Sequence, residues 1–129
     1  MDQSQSYGGG LYLIIWNESR GSISNSTFKE CKAYDGGGVY TDISTGAKLT
    51  IDGQCQFIDC SADRGGGLYA KIYNFSCQLI LQDCLFRGCQ ARYGGGGGIY
   101  IDSFSQSVSQ VNKVKFENCS SEKDGGGGI

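Results

Sequence analysis

The chain has 129 residues, including 22 glycines, 7 cysteines, no proline and no histidine, and its formal net charge is −2. This composition shows no basic patch for a nucleic-acid partner, and no run of about 18 apolar residues that could span a membrane. The longest apolar stretch, LYLIIW at residues 11–16, is predicted to be a buried strand of the first structural repeat.

Glycine runs mark an internal repeat. The stretch SYGGGLYL at residues 6–13 recurs as YDGGGVYT at 34–41 and DRGGGLYA at 63–70, and later as RYGGGGGIY and KDGGGGI. Repeats of 20 to 50 residues indicate a solenoid, a propeller or an array. An aliphatic residue follows each run, and these residues are spaced by 28, 29, 31 and 30 positions: Leu11, Val39, Leu68, Ile99 and Ile129. A tyrosine follows each of the first four: Tyr12, Tyr40, Tyr69 and Tyr100.

Each repeat is predicted to contain three short strands. They are the aliphatic–tyrosine stretch, a middle strand such as LTID at 49–52, and a strand centred on a phenylalanine. Three strands in 28 to 31 residues form the coil of an all-β parallel β-helix, whose coils stack about 4.8 Å apart. The sequence thus predicts one solenoid over residues 1–129, with four coils at about 8–35, 36–64, 65–95 and 96–125 and the start of a fifth.

Equivalent residues of successive coils are expected to lie over one another and to fill the interior. Three glycines before each aliphatic residue would turn the coil corner, where close approach leaves no room for a Cβ. Two additional glycines in 94–98 would bulge outward. Besides the aliphatic ladder, the predicted core ladders are Phe28, Phe57, Phe86 and Phe116; Cys31, Cys60, Cys89 and Cys119; Ile23, Ile51, Leu81 and Val111; and Ser26, Cys55, Cys84 and Val114.

The paired motifs GGG-aliphatic and Phe-x-x-Cys resemble those of right-handed parallel β-helix repeat proteins. In particular, they are similar to repeats of chlamydial polymorphic outer membrane proteins and of large protist surface proteins, which combine Gly-Gly-aliphatic with Phe-x-x-Asn. The resemblance implies a right-handed coil and a surface protein such as an adhesin. Cysteine in place of asparagine favours a eukaryotic relative.

Seven cysteines allow three interpretations. Spacings of about 29 residues match no short zinc-ligand pattern, and histidine is absent, so no metal site or cofactor is predicted. Free cysteines pack as small apolar residues, whereas adjacent coils also bring Cα atoms within disulfide range. We expect mostly reduced, packed thiols with one or two bridges, of which Cys55–Cys84 is one possibility.

Four Asn-x-Ser/Thr sequons indicate an extracellular or cell-surface glycoprotein. Asn17 and Asn74 lie in the variable connection after the first strand and are the better acceptors. Asn25 and Asn118 flank the phenylalanine strand, where steric blocking is expected.

Two binding or catalytic hypotheses arise from the first strand. The tyrosines Tyr12, Tyr40, Tyr69 and Tyr100, if they face outward, would form a strip for glycans or proteins. Asp42, Lys71 and Asp102 would stack as a carboxylate–lysine column, the kind of group that a polysaccharide-acting enzyme uses. Opposite charges in one column also stabilise an ordinary sheet, and we therefore expect no enzyme activity.

The two ends of the predicted solenoid match in register, since Ile129 takes the place of Leu11 in a further repeat. Uncapped solenoids expose strand edges that pair with other strands. The expected function is therefore structural or adhesive. The partner would be either further repeats of the same chain or copies that stack end to end into a filament or stalk.

Overall fold

The computed structural model describes residues 6–73, 76–104, 106–123 and 125–129. Within these ranges the chain forms 13 β-strands, all paired in parallel, and no helix. Equivalent residues of successive coils pair in register, as in Leu11 with Val39 and Val39 with Leu68. The predicted all-β parallel solenoid of about four coils is thereby confirmed.

The strands belong to three sheets that run along the solenoid axis. The first sheet is β1 (Leu11–Ile15), β4 (Val39–Ile43), β8 (Leu68–Ile72) and β11 (Ile99–Ser103). The second sheet is β2 (Arg20–Ser24), β3 (Thr27–Lys29), β5 (Lys48–Asp52), β6 (Gln56–Ile58), β9 (Gln78–Arg87) and β12 (Val108–Glu117). The third sheet is β7 (Ser61–Ala62), β10 (Gln90–Ala91) and β13 (Ser120–Ser121).

The second sheet differs from the predicted arrangement of strands. The middle and phenylalanine strands belong to the same sheet, and in the last two coils they form the single strands β9 and β12. A residue with left-handed backbone bends each coil at this point, with φ between 49° and 64°. The third sheet instead consists of short strands just after the cysteine column. The bend residues are Asn25, Gln54, Asp83 and Lys113.

The glycine corners are ordered, and a Cβ added at the glycines of one run would collide with different neighbouring atoms. In the third coil, a Cβ on Gly66 would lie 2.4 Å from the backbone oxygens of Gln90 and Gly97. A Cβ on Gly67 would lie 2.6 Å from the ring of Phe86. The two additional glycines of the fourth coil are Gly94 and Gly95, and a Cβ on Gly95 would collide with the Tyr100 ring. Glycine at these corners therefore allows the coils and the aromatic ladder to pack closely.

The core is densest in the two middle coils. The aliphatic, phenylalanine and cysteine ladders are fully buried there, and the neighbouring Phe57 and Phe86 rings stack with centroids 4.3 Å apart. Their counterparts in the first coil, such as Leu11 and Phe28, are half-buried. The LYLIIW stretch forms β1 at Leu11–Ile15, and its predicted burial holds for Ile15 but is wrong for the outward residues. Ile14 and Trp16 point out of the first sheet and are 55% and 62% exposed, because side chains alternate between the two faces of a strand.

Candidate functional site

The outer face of the first sheet gathers most of the residues that the sequence singled out. Its inner residues fill the core, and the alternate residues form three outward columns that run along the solenoid axis. We call them the tyrosine column (Tyr12, Tyr40, Tyr69 and Tyr100), the polar column (Ile14, Asp42, Lys71 and Asp102) and the outer row (Trp16, Ser44, Tyr73 and Phe104).

The tyrosine column is a continuous stack of rings. Successive ring centroids are 5.1, 5.0 and 4.9 Å apart, with interplanar angles of 21° or less. The middle of this stack is covered, since Tyr40 and Tyr69 are only 7% and 2% exposed. Tyr7 packs against Tyr40 at 4.9 Å, and the Arg64 guanidinium lies 5.1 Å from the Tyr69 ring centroid. The predicted tyrosine strip is therefore accessible mainly at its end, where Tyr12 is exposed.

The arginine that covers the tyrosines is held by an ion pair across the coils. Arg64 donates two hydrogen bonds to the buried Asp35, at 2.9 and 2.7 Å. Hydrogen bonding to Asp35 raises the pKa of Arg64. Burial raises the pKa of Tyr69 as well, and the nearby Arg64 charge only partly offsets this effect. The covered part of the tyrosine column is thus a fixed, neutral and structural element.

The polar column brings together Asp42, Lys71 and Asp102, since Lys71 pairs in register with both aspartates. Partial burial raises the pKa of Asp42, although a hydrogen bond from Tyr40 and the Lys71 charge act in the opposite direction. Lys71 hydrogen-bonds to Tyr73, which raises its pKa, and its Nζ lies 5.2 Å from that ring centroid. The column supplies a carboxylate and an ammonium group side by side, which suits hydrogen bonding to a polar ligand.

The outer row is the part of this face that the sequence analysis missed. Its members continue the ladder beyond β1, β4, β8 and β11, through backbone hydrogen bonds from Ser44, Tyr73 and Phe104 to the preceding coil. The Tyr73 and Phe104 rings stack at 5.8 Å with an interplanar angle of 5°. Side chains alternate between the two faces of a strand, so the residues two positions after the polar column also face outward. Three of these four residues are aromatic, and this was the signal in the sequence that could have identified the row.

The sequons lie in exposed turns. Asn17, Asn25 and Asn118 are all exposed and have left-handed backbone, with φ of 59°, 49° and 53°. Asn25 and Asn118 flank the phenylalanine strand and are themselves exposed. The fourth sequon, at Asn74, lies outside the described residues.

The cysteines are free thiols, and Cys55 and Cys84 are unbonded within the core. In the cysteine column, each thiol from the second coil onward donates a hydrogen bond to the phenylalanine carbonyl of the preceding coil, as in Cys60 to Phe28 at 3.3 Å. Hydrogen bonds with the Cys89 thiol lower the pKa of Cys60 and of Cys119. The same contacts, with Cys119 and Cys60, raise the pKa of Cys89. Burial raises the pKa of Cys84 to about 12. The column is a polar ladder in an otherwise apolar interior.

No helix in the described ranges is long and apolar enough to cross a membrane. In the same ranges, no three Cys, Asp or Glu side chains come together in an arrangement that could hold a metal ion.

Comparison with known proteins agrees with this geometry. A family model described as the right-handed β-helix region matches residues 4–129. The comparisons with curated proteins and with solved structures gave no match. The match extends over nearly the whole chain and includes all four coils and the outer face described above. The chain therefore belongs to the right-handed β-helix family.

Proposed function

We propose that this chain is a structural module of an extracellular fibre, in which a second copy stacks coil on coil against its last coil. The observation that carries the proposal is the exposure of Val111 on β12. Val111 belongs to the core column of Ile23, Ile51 and Leu81, and it is 40% exposed whereas Ile51 and Leu81 are fully buried. An added coil would bury this side chain as the inner coils bury theirs.

The first coil offers a matching surface. Leu11, Leu13 and Phe28 pack against the core but remain half-buried. The register that joins the inner coils, in which like residues lie over like residues, would join the first coil of one copy to the last coil of another. Such a contact is heterologous and does not close, so it adds copies in one direction.

The extracellular setting is supported by the three exposed sequons at Asn17, Asn25 and Asn118. All three lie at exposed turns of the first and last coils, where the asparagine is open to solvent.

Two lysine substitutions on one strand test the proposal. Val111→Lys places a charge on the stacking surface, and an added coil would have to bury it at a cost of several kcal/mol. Val108→Lys is the matched control. Val108 is 46% exposed on the same strand, but it faces outward in the column of Lys48 and Gln78.

The measurement is sedimentation velocity over a range of protein concentrations, together with electron microscopy. We expect the unmodified chain and Val108→Lys to form linear assemblies with an axial repeat of about 19 Å, four times the spacing of the coils. Val111→Lys is expected to stay monomeric with an unchanged circular dichroism spectrum. Discrete particles from the unmodified chain at all concentrations, or equal assembly by both variants, would contradict the proposal.

A further inference from the structure

Ion pairs between neighbouring coils recur in this solenoid. Each of three pairs joins one coil to the next: Arg64 with Asp35, Arg92 with Asp63, and Arg87 with Glu117. Their nitrogen–oxygen distances are 2.7, 2.8 and 2.8 Å, respectively. Opposite charges on neighbouring strands stabilise a sheet, whereas like charges destabilise it. A charged residue on an end coil therefore presents half of such a pair to any coil that is added there.

One outward column of the second sheet carries opposite charges at its two ends. Lys29, Ile58, Arg87 and Glu117 occupy the same position in the four coils and are in register from one coil to the next. We call them the Lys29 column. At the last coil, the Nε atom of Arg87 donates a hydrogen bond to the Oε2 atom of Glu117 at 2.8 Å. The column thus begins with an ammonium group and ends with a carboxylate.

Neither end member of the Lys29 column has an in-register neighbour on its outer side among the described residues. Lys29 is exposed, its inner neighbour is the uncharged Ile58, and it forms no ion pair within the described ranges. The Glu117 side chain is 44% exposed, although Arg87 lies on its inner side. A carboxylate has about four lone-pair sites, so Glu117 can accept hydrogen bonds from a second cation.

The proposed fibre brings these two ends together. In its stacking register, the first coil of an added copy lies about 4.8 Å beyond the last coil, so Lys29 of that copy lies over Glu117. Lys115, two residues before Glu117, meets the uncharged Thr27 of the added copy in the same register. We propose that Glu117 forms an ion pair with Lys29 of the next copy, and that this pair selects the register and polarity of stacking. The pair rests on the proposed fibre and adds the contact that gives it a direction.

The direction follows from which contacts contain both charges. Two first coils would face each other with Lys29 on both sides, and two last coils with Glu117 on both sides. Neither contact contains both members of the pair, whereas head-to-tail stacking contains them at every junction. Burial of Val111 favours any apolar partner surface, so the charges supply the discrimination between these contacts.

Charge reversal on the first coil tests the pair. Lys29→Glu places a carboxylate over Glu117, and it is expected to raise the lowest concentration at which the chain assembles roughly tenfold, because repulsion replaces attraction. Arg20→Glu is the matched control and should assemble like the unmodified chain. It makes the same change of charge at an exposed residue of the same coil, but its column ends at the uncharged Val108. Sedimentation velocity measures assembly, and circular dichroism shows that each variant is folded.

A second variant tests the pair from its other side. Arg87→Glu combined with Glu117→Lys reverses the ion pair within the chain and places a lysine under Lys29 of the next copy. Alone, this double variant should assemble as poorly as Lys29→Glu. An equimolar mixture of the two should assemble like the unmodified chain, because every junction then joins a lysine to a glutamate. If the double variant does not fold, Glu117→Gln replaces it, and Lys29→Glu should cause no further loss of assembly in that background.

The outcomes separate this ion pair from the fibre itself. Assembly of the unmodified chain and of Lys29→Glu at the same concentration would overturn the pair and leave the fibre proposal standing. A mixture that assembles no better than either variant alone would do the same, as would equal losses in Lys29→Glu and Arg20→Glu. An unmodified chain that stays monomeric at all concentrations would overturn both proposals.

Discussion

Left-handed backbone recurs at the same corners of successive coils, and at the bend of the second sheet none of the four residues is glycine. Asn25 and Asp83 are residue types that tolerate this conformation, whereas Gln54 and Lys113 are not. For a residue with a Cβ, the left-handed conformation is roughly 1–2 kcal/mol less favourable than the conformation that the residue prefers. The bend is therefore maintained by the pairing of the strands on either side of it.

Gln54→Gly is expected to stabilise the protein by up to about 1 kcal/mol, because glycine removes the steric cost at a φ of 64° and loses only part of the gain to chain entropy. Gln56→Gly is the matched control in β6, where the backbone is extended, and it should destabilise by roughly 0.5–1 kcal/mol. Urea unfolding of both variants measures the two changes. Destabilisation by both substitutions would show that strain at Gln54 is not relieved by glycine.

The raised pKa of Asp42 makes a pH-dependent contribution to stability. The folded state holds the proton of this carboxyl more tightly than the unfolded chain, whose pKa is 3.8. The stabilising effect of that proton is complete below pH 3.8 and is lost as the pH rises through the folded-state pKa. At neutral pH the ionised carboxylate is therefore a net cost of folding.

Asp42→Asn is thus expected to raise the midpoint of thermal unfolding at pH 7, since the amide carries no charge and still accepts a hydrogen bond from Tyr40. The difference from the unmodified chain should shrink as the pH falls and vanish below about pH 3.8. Thermal unfolding followed by circular dichroism at pH 3 and pH 7 measures this. If Asp42→Asn is less stable than the unmodified chain at pH 7, the burial of the ionised Asp42 carboxylate is not a net cost of folding.

At the level of the strands, the phenylalanine ladder links all four coils. Phe86 stacks on Phe57 at 4.3 Å and on Phe116 at 5.4 Å, whereas Phe28 has one stacking partner among the described residues, Phe57, at 5.0 Å. Aromatic pairs contribute about 0.5–1.5 kcal/mol each beyond the burial of their surface. A ring in the middle of the ladder therefore contributes more than one at its end.

Phe86→Leu is expected to cost about 1–3 kcal/mol beyond the loss of buried area, because two stacked pairs are lost. Phe28→Leu, the matched substitution in the first coil, should cost about half as much because one pair is lost and the site is half-buried. The free energies of unfolding in urea give the comparison. Equal costs for the two variants would mean that the ring stack contributes little beyond its area.

The sequence predicted the strands where side-chain type repeats with the coil. The columns of Phe57 and Phe86, and of Val39 and Leu68, follow directly from the repeated motifs. The partition of the second sheet did not follow, because its bend lies at a different residue type in each coil, namely Asn25, Gln54, Asp83 and Lys113. Only the second coil adds an Asp-Gly turn signal there, at Asp52 and Gly53.

The candidate site was predictable in part for a similar reason. The tyrosine column follows from its repeated motif, but its burial depends on Tyr7 and Arg64. These two residues share one column with Asp35, and the residue type in that column differs from coil to coil. The outer row is a column whose members differ from coil to coil. A search for identity between repeats does not detect such a column.

At the scale of the whole molecule, stability in a solenoid is close to a sum over coils and their interfaces. The inner coils bury their ladders on both sides, and the outer coils on one side only. A copy added at the last coil would restore the missing interface, but residues 125–129 already lie at one corner of that surface. Gly97 N donates to Gly126 O at 3.0 Å, and Ile99 N donates to Gly128 O at 2.8 Å.

The glycine corner of an incoming first coil would need the same position. Between the first and second coils, Gly9 N donates to Gly36 O and Leu11 N donates to Gly38 O, which is the same pattern one repeat earlier in the chain. Under the proposed stacking, residues 125–129 of one copy and 8–11 of the next therefore compete for one site. Assembly then requires the displacement of one of these segments, which slows the addition of each copy.

Removal of residues 124–129 is accordingly expected to shorten the lag before assembly and to lower the protein concentration at which it begins. Light scattering after dilution into assembly buffer measures both. The same truncation combined with Val111→Lys should remain monomeric, because the core edge of β12 still carries the charge. A longer lag after truncation would indicate that residues 125–129 support the contact between copies, as a further coil of the same sheet, instead of competing with it.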